Sequence, residues 1–381
     1  MTTHVQTVQV KGPRLRILQL NFERGWRGGE RQTLLSMQAY RAAGHEVVLL
    51  ARAGGDLASR AQEDGFMVYP CSGIPAVGGT LLRYGRQFDV LHAQTANMMT
   101  WLALLKPFLR ARIVFTRRTA FPIAQGRDQQ TRWKWRQADV VVAISQAAAV
   151  EPRRLGLDVV VIPSAVQAQP LDSQHLHEFA SQFDLPLAPD LGGETGLPRQ
   201  HLSGQHFVLA TAAAMSSEKD PLTLIRAIHA VRQVRDDFVF LHLGAGGDIE
   251  YAARELVHDL GLERHYVFAG FHRAIEDIYR LMDVFVLSSK SEALGTSVLD
   301  AFLYRVPVVS TDAGGLKESL AQGRGLLCAI GDHEALAASI LRLLSDESLR
   351  VDMADKAHRY VRSEHDVEVM AKRYLKVYTA T

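Results

Sequence analysis

Cysteine is nearly absent from this 381-residue chain, and Cys71 and Cys328 stand far apart, in no metal-ligand spacing. That excludes a disulfide scaffold and a structural zinc site, and it points to a reducing compartment. Long apolar runs are missing as well. The most continuous one, MMTWLALL, is too short to span a bilayer, and the opening MTTHVQTVQVKGPRLRILQLN has no apolar leader core. A cytoplasmic protein without a spanning segment is therefore expected. Net charge is scarce too, with 43 Lys and Arg against 41 Asp and Glu. Overall charge does not imply nucleic acid, so any basic patch must be local. The chain shows no short tandem repeat, no full glycine spacing of a dinucleotide fingerprint and no Asp-x-Asp at a strand end. A nicotinamide or flavin enzyme is thereby disfavoured, and neither cofactor nor metal is assigned.

What is present is ordinary globular composition, 47% hydrophobic and 22% charged, in a chain longer than one core usually supports. Short β-branched runs alternate with helical periods. LRILQLN, EVVLLAR, DVLHAQ, RIVFTRR, DVVVAIS and DVVVIPS read as strands buried on both faces, separated by amphipathic crossovers such as ERQTLLSMQAYRAAG. The pattern lapses after Ser164, and LAPDLGGETGLPRQHLSGQ has the Gly and Pro content of a linker. It resumes with FVLATAAAM, FVFLHLGAG, YVFAGF, DVFVLSS, VPVVST and GLLCAI. The expected fold class is α/β, with two Rossmann-like domains whose parallel sheets face each other across a cleft. Residues 1–166 form the first domain, 167–205 a linker or insertion, and 206–365 the second. The closing stretch 366–381 has Val367, Met370, Ala371, Tyr374 and Val377 at helical spacing, and is expected to pack back on the first domain.

Open α/β sheets place ligands at the carboxyl ends of their strands, so function is sought in the strand-to-helix loops. In NFERGWRGGERQ, Gly28 and Gly29 open a helix whose amide end suits an anion or a sugar oxygen; a plain tight turn explains the same glycines. HLGAGGDIE places Gly244, Gly246 and Gly247 before another helix, a weak signal alone. The most informative stretch is FVLSSKSEALGTSVLDAF. Glu292 and Asp300 lie eight positions apart around Gly295, where a helix is expected to begin near Leu294 to Thr296. A diphosphate on the amides of Leu294, Gly295 and Thr296 would sit between two carboxylates that accept from sugar hydroxyls. A nucleotide sugar satisfies every group. The alternative makes Glu292 a loop carboxylate and Asp300 a solvated helix residue.

This stretch resembles the Glu, seven residues, Glu motif of the family-4 glycosyltransferases, retaining enzymes with the GT-B fold, with Asp300 in place of the second Glu. The resemblance runs from Leu15 to Tyr378 through GGE, AISQ, VIPSAV, SEKDPLTLIRAI, VFAGF and VVSTDAGGLKE. It implies that Lys219 contacts the donor diphosphate, Glu292 the transferred sugar and Asp300 the ribose. The backbone from Ala293 to Thr296, with Gly244, would cradle the donor, Gly28 and Gly29 would lie beside sugar and acceptor, and His92 would stand in the site as a catalytic residue, a structural, hydrogen-bonded strand-end histidine being the equal alternative. The sequence departs from the family at Ala214, where an Arg is usual, at Gln94, at Arg117 and Arg118 where a His is common, and at Ala165 and Gln167. Lys290, Arg24 or Arg27 are candidates for the missing counter-charge, and Arg117 and Arg118 for phosphate or acceptor contacts.

The implied reaction is retaining transfer from a nucleoside diphosphate sugar to a hydroxyl of a glycan or glycolipid, in bacterial lipopolysaccharide or surface-polysaccharide assembly. Between Trp101 and Gln137 stand nine Lys or Arg against one Asp, interleaved with Trp101, Phe108, Trp133 and Trp135. Such a belt suits an anionic membrane surface or a phosphorylated glycolipid; a buried crossover helix with a solvated basic rim explains it equally. No nucleic-acid module surrounds it. A nucleotide-sugar 2-epimerase and a silent glycan-binding subunit are the alternatives.

Overall fold

The computed structural model describes residues 13–187, 206–272 and 274–380. The chain divides into two compact units. One comprises residues 1–165 together with 366–381, the other residues 166–365.

The first unit is built on seven parallel strands. They are β1 (Arg16–Asn21), β2 (Glu46–Arg52), β3 (Met67–Cys71), β4 (Val90–Ala93), β5 (Arg112–Arg117), β6 (Val140–Ala143) and β7 (Val159–Val161). Their order is β3-β2-β1-β4-β5-β6-β7, with the reversal between β1 and β4. Alternation along each strand feeds two cores. Ile17, Leu49, Val114 and Val142 face one side, and Leu18, Leu50, Phe115 and Val141 the other. This explains the continuous apolar runs, since a parallel sheet covered on both faces needs no polar side. The strand β3 carries no such run. It lies at the sheet edge, is largely accessible and contains Pro70, which an edge tolerates.

The helix Val367–Thr379 belongs to this unit. Met370, Ala371, Tyr374, Leu375 and Tyr378 pack into the core that holds Met37 and Tyr40. The Tyr40 and Tyr378 rings meet edge to face at 5.5 Å, a favourable aromatic geometry.

In the second unit six parallel strands are β8 (Phe207–Ala212), β9 (Phe238–Leu243), β10 (Tyr266–Gly270), β11 (Val284–Leu287), β12 (Val308–Thr311) and β13 (Leu326–Cys328). Their order is β10-β9-β8-β11-β12-β13, with the reversal between β8 and β11. The segment expected as linker differs from that reading. Residues Ser173–Gln182 form a helix capped by Asp172, and Leu176, Phe179 and Ala180 on its apolar face are buried. The Gly- and Pro-rich run from Ala188 to Gln205 lies outside the described residues. Among the described residues no helix is long and apolar enough to cross a membrane.

Candidate functional site

Each sheet has a point where successive connections leave in opposite directions, and the loops there splay apart to leave a crevice at the strand ends. In the second unit the loops after β8 and β11 flank that point, and they hold Lys219 and Glu292. The Lys219 ammonium donates to Glu292 Oε1 at 2.5 Å, and Ser289 Oγ donates to the same oxygen at 3.1 Å. Both partners are half-buried. The two loops are bound through their backbones as well: Lys290 N donates to the Glu218 carbonyl at 2.8 Å, and Ser288 Oγ reaches the carbonyls of Lys219 and Asp220. Asp220 is buried in a left-handed conformation (φ 48°) as the cap of the helix Pro221–Arg232, and its carboxylate lies 3.4 Å from the exposed Lys290 ammonium. Lys219 and Lys290 are thus brought to adjacent loops, each matched by a carboxylate of the same unit.

The helix Thr296–Leu303 starts where expected, behind Gly295 with φ 77°, a conformation that glycine adopts without steric cost. Asp300 differs from the alternative reading of a solvated residue, because it is buried within that helix. Gly314 and Gly315, after β12, are site-forming residues that sequence reasoning left unassigned. A Cβ on either would collide with the carbonyl oxygen of Glu292 or Ala293, and Gly315 N donates to Glu292 O at 2.9 Å. Their signal was the glycine pair at a strand-to-helix junction. The loop after β9 is held as closely. A Cβ on Gly244 would collide with the Ala213 carbonyl, and Ser217 N donates to Asp248 at 2.8 Å, tying this loop to the Lys219 loop. The position of the missing arginine, Ala214, is exposed on that stretch.

In the first unit, the crevice lies between the loops after β1 and β4. Gly28 and Gly29 are half-buried at the start of the helix Gly28–Ala42, while Arg24 and Arg27 beside them are exposed. Glu30 is buried. Its carboxylate accepts from Arg27 N at 3.0 Å and from Asn21 at 3.3 Å, and desolvation pushes its pKa up.

Of the two readings of His92, its surroundings match the structural one. Its ring is fully buried, with Nδ1 2.6 Å from the Tyr378 hydroxyl and Nε2 2.7 Å from Thr116 Oγ1, and burial holds its pKa well below the ordinary value. Both nitrogens serve the core. Arg117 departs from its expected place in the site: it is buried, donates to the carbonyls of Thr119 and Phe121, and lies over the Trp135 ring at 5.0 Å. Arg118, the first residue after β5, has different partners. It is half-buried and donates through Nε and Nη2 to Gln94 Oε1 at 3.0 and 2.6 Å, and through Nη1 to Ser164 Oγ at 3.3 Å.

The basic belt is sorted by the fold. Trp135 is buried and Trp101 half-buried, whereas Phe108 and Trp133 stand about half exposed, at 54% and 49%, with Arg110, Arg132 and Arg136 exposed near them in sequence. Lys134 is half-buried, and burial lowers its pKa. Among the described residues no three His, Cys, Asp or Glu side chains are grouped to hold a metal ion.

Comparison with known proteins finds two family profiles along the chain. That described as Glycosyltransferase Family 4 matches residues 26–169, and that described as Glycosyl transferases group 1 matches residues 197–360. The chain is 32% identical over 156 residues to the lipopolysaccharide core biosynthesis glycosyltransferase LpsE of Rhizobium meliloti. That match covers 41% of this chain and 44% of the relative, so under half of the relative's length is spanned. It is 27% identical over 307 residues to the lipopolysaccharide core biosynthesis mannosyltransferase LpcC of Rhizobium leguminosarum, covering 77% and 79% of the two chains. The solved structure of Anabaena HepE in complex with UDP-glucose superposes with a TM-score of 0.82 at 19% identity over 97% of this chain and 100% of that one, a likeness of fold.

Proposed function

Because this chain belongs to glycosyltransferase family 4, with the GT-B architecture of paired Rossmann-like units, we propose that it transfers a glycosyl group from a nucleoside diphosphate sugar to a hydroxyl of a glycan or glycolipid. The observation that carries this reading is the Lys219–Glu292 pair across the β8/β11 crevice. A cation and a carboxylate 2.5 Å apart at the strand ends are matched to a donor that brings both phosphates and hydroxyls. On binding, the ammonium turns to the diphosphate and the carboxylate to the sugar. Asp300 is assigned to the ribose, and Ala293 to Thr296 with Gly244 to the phosphates.

The transfer proceeds with retention. The bond from the anomeric carbon to the diphosphate oxygen breaks, and the acceptor oxygen bonds to that carbon on the same face. The acceptor proton passes to the departing phosphate oxygen. Lys219 stabilises the charge that grows on the leaving group, and the loops hold the reactants in line. With Ala214 in place of an arginine, Lys290 supplies the second positive charge from its station by Asp220. The names of the relatives favour lipopolysaccharide or surface-polysaccharide assembly, and the exposed Phe108, Trp133 and arginines favour work at an anionic membrane surface.

Screening nucleoside diphosphate sugars for thermal stabilisation identifies the donor, because a ligand of the folded state raises its melting temperature. Donor affinity and transfer rate are then measured for three variants. Lys219→Ala should lose roughly 10²- to 10³-fold in rate and also bind donor more weakly. Glu292→Gln should keep donor affinity and lose turnover. Asp300→Ala should raise the donor Kd by the worth of a charged hydrogen bond, about 1.5–3 kcal/mol. Three variants with unaltered affinity and rate would sink the assignment.

A further inference from the structure

The crevice of the first unit holds a positive charge that the proposed transfer does not use. Arg118, just after β5, has neutral partners alone, namely Gln94 Oε1 and Ser164 Oγ. Among the described residues no carboxylate lies within salt-bridge distance of its guanidinium, whereas Lys219 and Lys290 are each paired. The support beneath it is built and buried. Gln94 and Ser164 are 1% and 2% exposed, and Gln94 Nε2 donates to Gln19 Oε1 at 2.7 Å, with Gln19 in turn bonded to Tyr378. The guanidinium has five N–H donors, of which these contacts use three. Its stem runs beside Gly29, within 3.7 Å of where a Cβ would stand, at the start of the helix Gly28–Ala42. An oriented, half-buried cation without a counter-ion, in the crevice of an open sheet, is complementary to an oxyanion.

We infer that Arg118 is a specificity-determining residue that recognises an oxyanion, carboxylate or phosphate, carried by the saccharide bound in the first unit, so that the sugar or acceptor handled here is acidic. Gln94 is its positioning residue. This rests on the transferase reading and deepens it by naming the charge of the substrate. A neutral sugar would leave the guanidinium partly desolvated without compensation, whereas an acidic one supplies two charge-assisted hydrogen bonds.

The full chain is titrated calorimetrically with glucose, glucuronate and glucose 6-phosphate. At least one acid should bind about tenfold or more tighter than glucose, the worth of one charged hydrogen bond. Preference for glucuronate assigns a carboxylate, and preference for glucose 6-phosphate a phosphate. Arg118→Gln should abolish the difference. Gln94→Glu leaves Arg118 in place but sets a carboxylate against it, and it too should remove the preference; circular dichroism establishes that both variants are folded. Equal binding of acid and neutral sugar, no binding of either acid, or a preference that survives Arg118→Gln overturns the inference. Thermal stabilisation by UDP, GDP or ADP, which depends on the second unit, is recorded on the same samples and should be unchanged in both variants. Its absence from the parent protein would strike the transferase reading instead, leaving the acid-binding result to be judged separately.

Discussion

The two units solve the same topological problem with opposite electrostatics. Both sheets reverse order at an inner strand pair, β1 with β4 and β8 with β11, and both place a cation at the strand ends beside that reversal. In the second unit the cations face acids: Lys219 against Glu292, and Lys290 against Asp220. In the first, Arg118 faces an amide and a hydroxyl, and the polar groups beneath it form a closed relay through Gln94, Gln19, Tyr378 and His92. An internally paired site is neutral until a ligand exchanges partners with it. A cation on a neutral relay keeps its charge available, at the cost of burying many polar groups that must all remain bonded.

This contrast can be broken most forcefully at the relay. Tyr374 is fully buried between Tyr40, His92 and Tyr378, and its hydroxyl meets Thr116 Oγ1 at 3.1 Å. Tyr374→Ala should destabilise the first unit by about 3–5 kcal/mol. Hydrogen exchange should show this loss in β1, β4 and β5, with β8 to β13 unaffected.

The second unit has its own buried histidine, which offers a smaller effect. His242 bonds to the Tyr266 hydroxyl at 2.7 Å, and burial lowers its pKa to about 4. Below the unfolded value of about 6.5, the unfolded chain takes up a proton that the folded unit refuses. The associated stability is therefore complete above that pH and lost as pH falls toward the folded value, at up to about 1.4 kcal/mol per pH unit. Urea unfolding between pH 7 and 5 should show this slope, and His242→Gln should flatten it. An unchanged slope would mean that the proton goes elsewhere.

Charge on the outside should matter less again. Replacing the exposed Arg132 and Arg136 with Ser should weaken binding to phosphatidylserine vesicles by about 1 kcal/mol per residue, with donor binding intact. Equal vesicle binding by parent and variant would remove the membrane proposal. At the smallest end, transfer should be unaltered in excess EDTA, since the leaving charge is assigned to Lys219, Lys290 and backbone amides. Loss of activity restored by magnesium or manganese would show a metal at the β8/β11 crevice.

Much of this was legible in the sequence because parallel strands buried on both faces write themselves as apolar runs, and because the start of the helix Thr296–Leu303 announces itself through Gly295, which takes a left-handed conformation there. The edge strand β3 was not legible. Its Met67–Cys71 alternates weakly and includes Pro70, so no run marks it. The helix Ser173–Gln182 was missed because its polar residues dominate a face that needs only Leu176, Phe179 and Ala180 to dock. The direction of His92 and Arg117 was also hidden, although alternation along β5 already sets Arg117 on the other side from Thr116. What alternation cannot reveal is that Tyr378, nearly three hundred residues later, closes over His92.

That closure has a consequence for how the polypeptide is made. The core of the first unit is opened by β1 near the start of the chain and filled by Met370, Tyr374 and Tyr378 near its end. During synthesis the whole of residues 166–365 emerges between these two contributions. The second unit, continuous in sequence, can complete its packing on the ribosome. The first must wait with Tyr40, Gln19 and His92 uncovered until the helix Val367–Thr379 leaves the exit tunnel. A nascent chain arrested once His365 has cleared the tunnel, with the helix Val367–Thr379 still inside it, would therefore display one finished unit and one open, polar-lined core, the natural target for a chaperone.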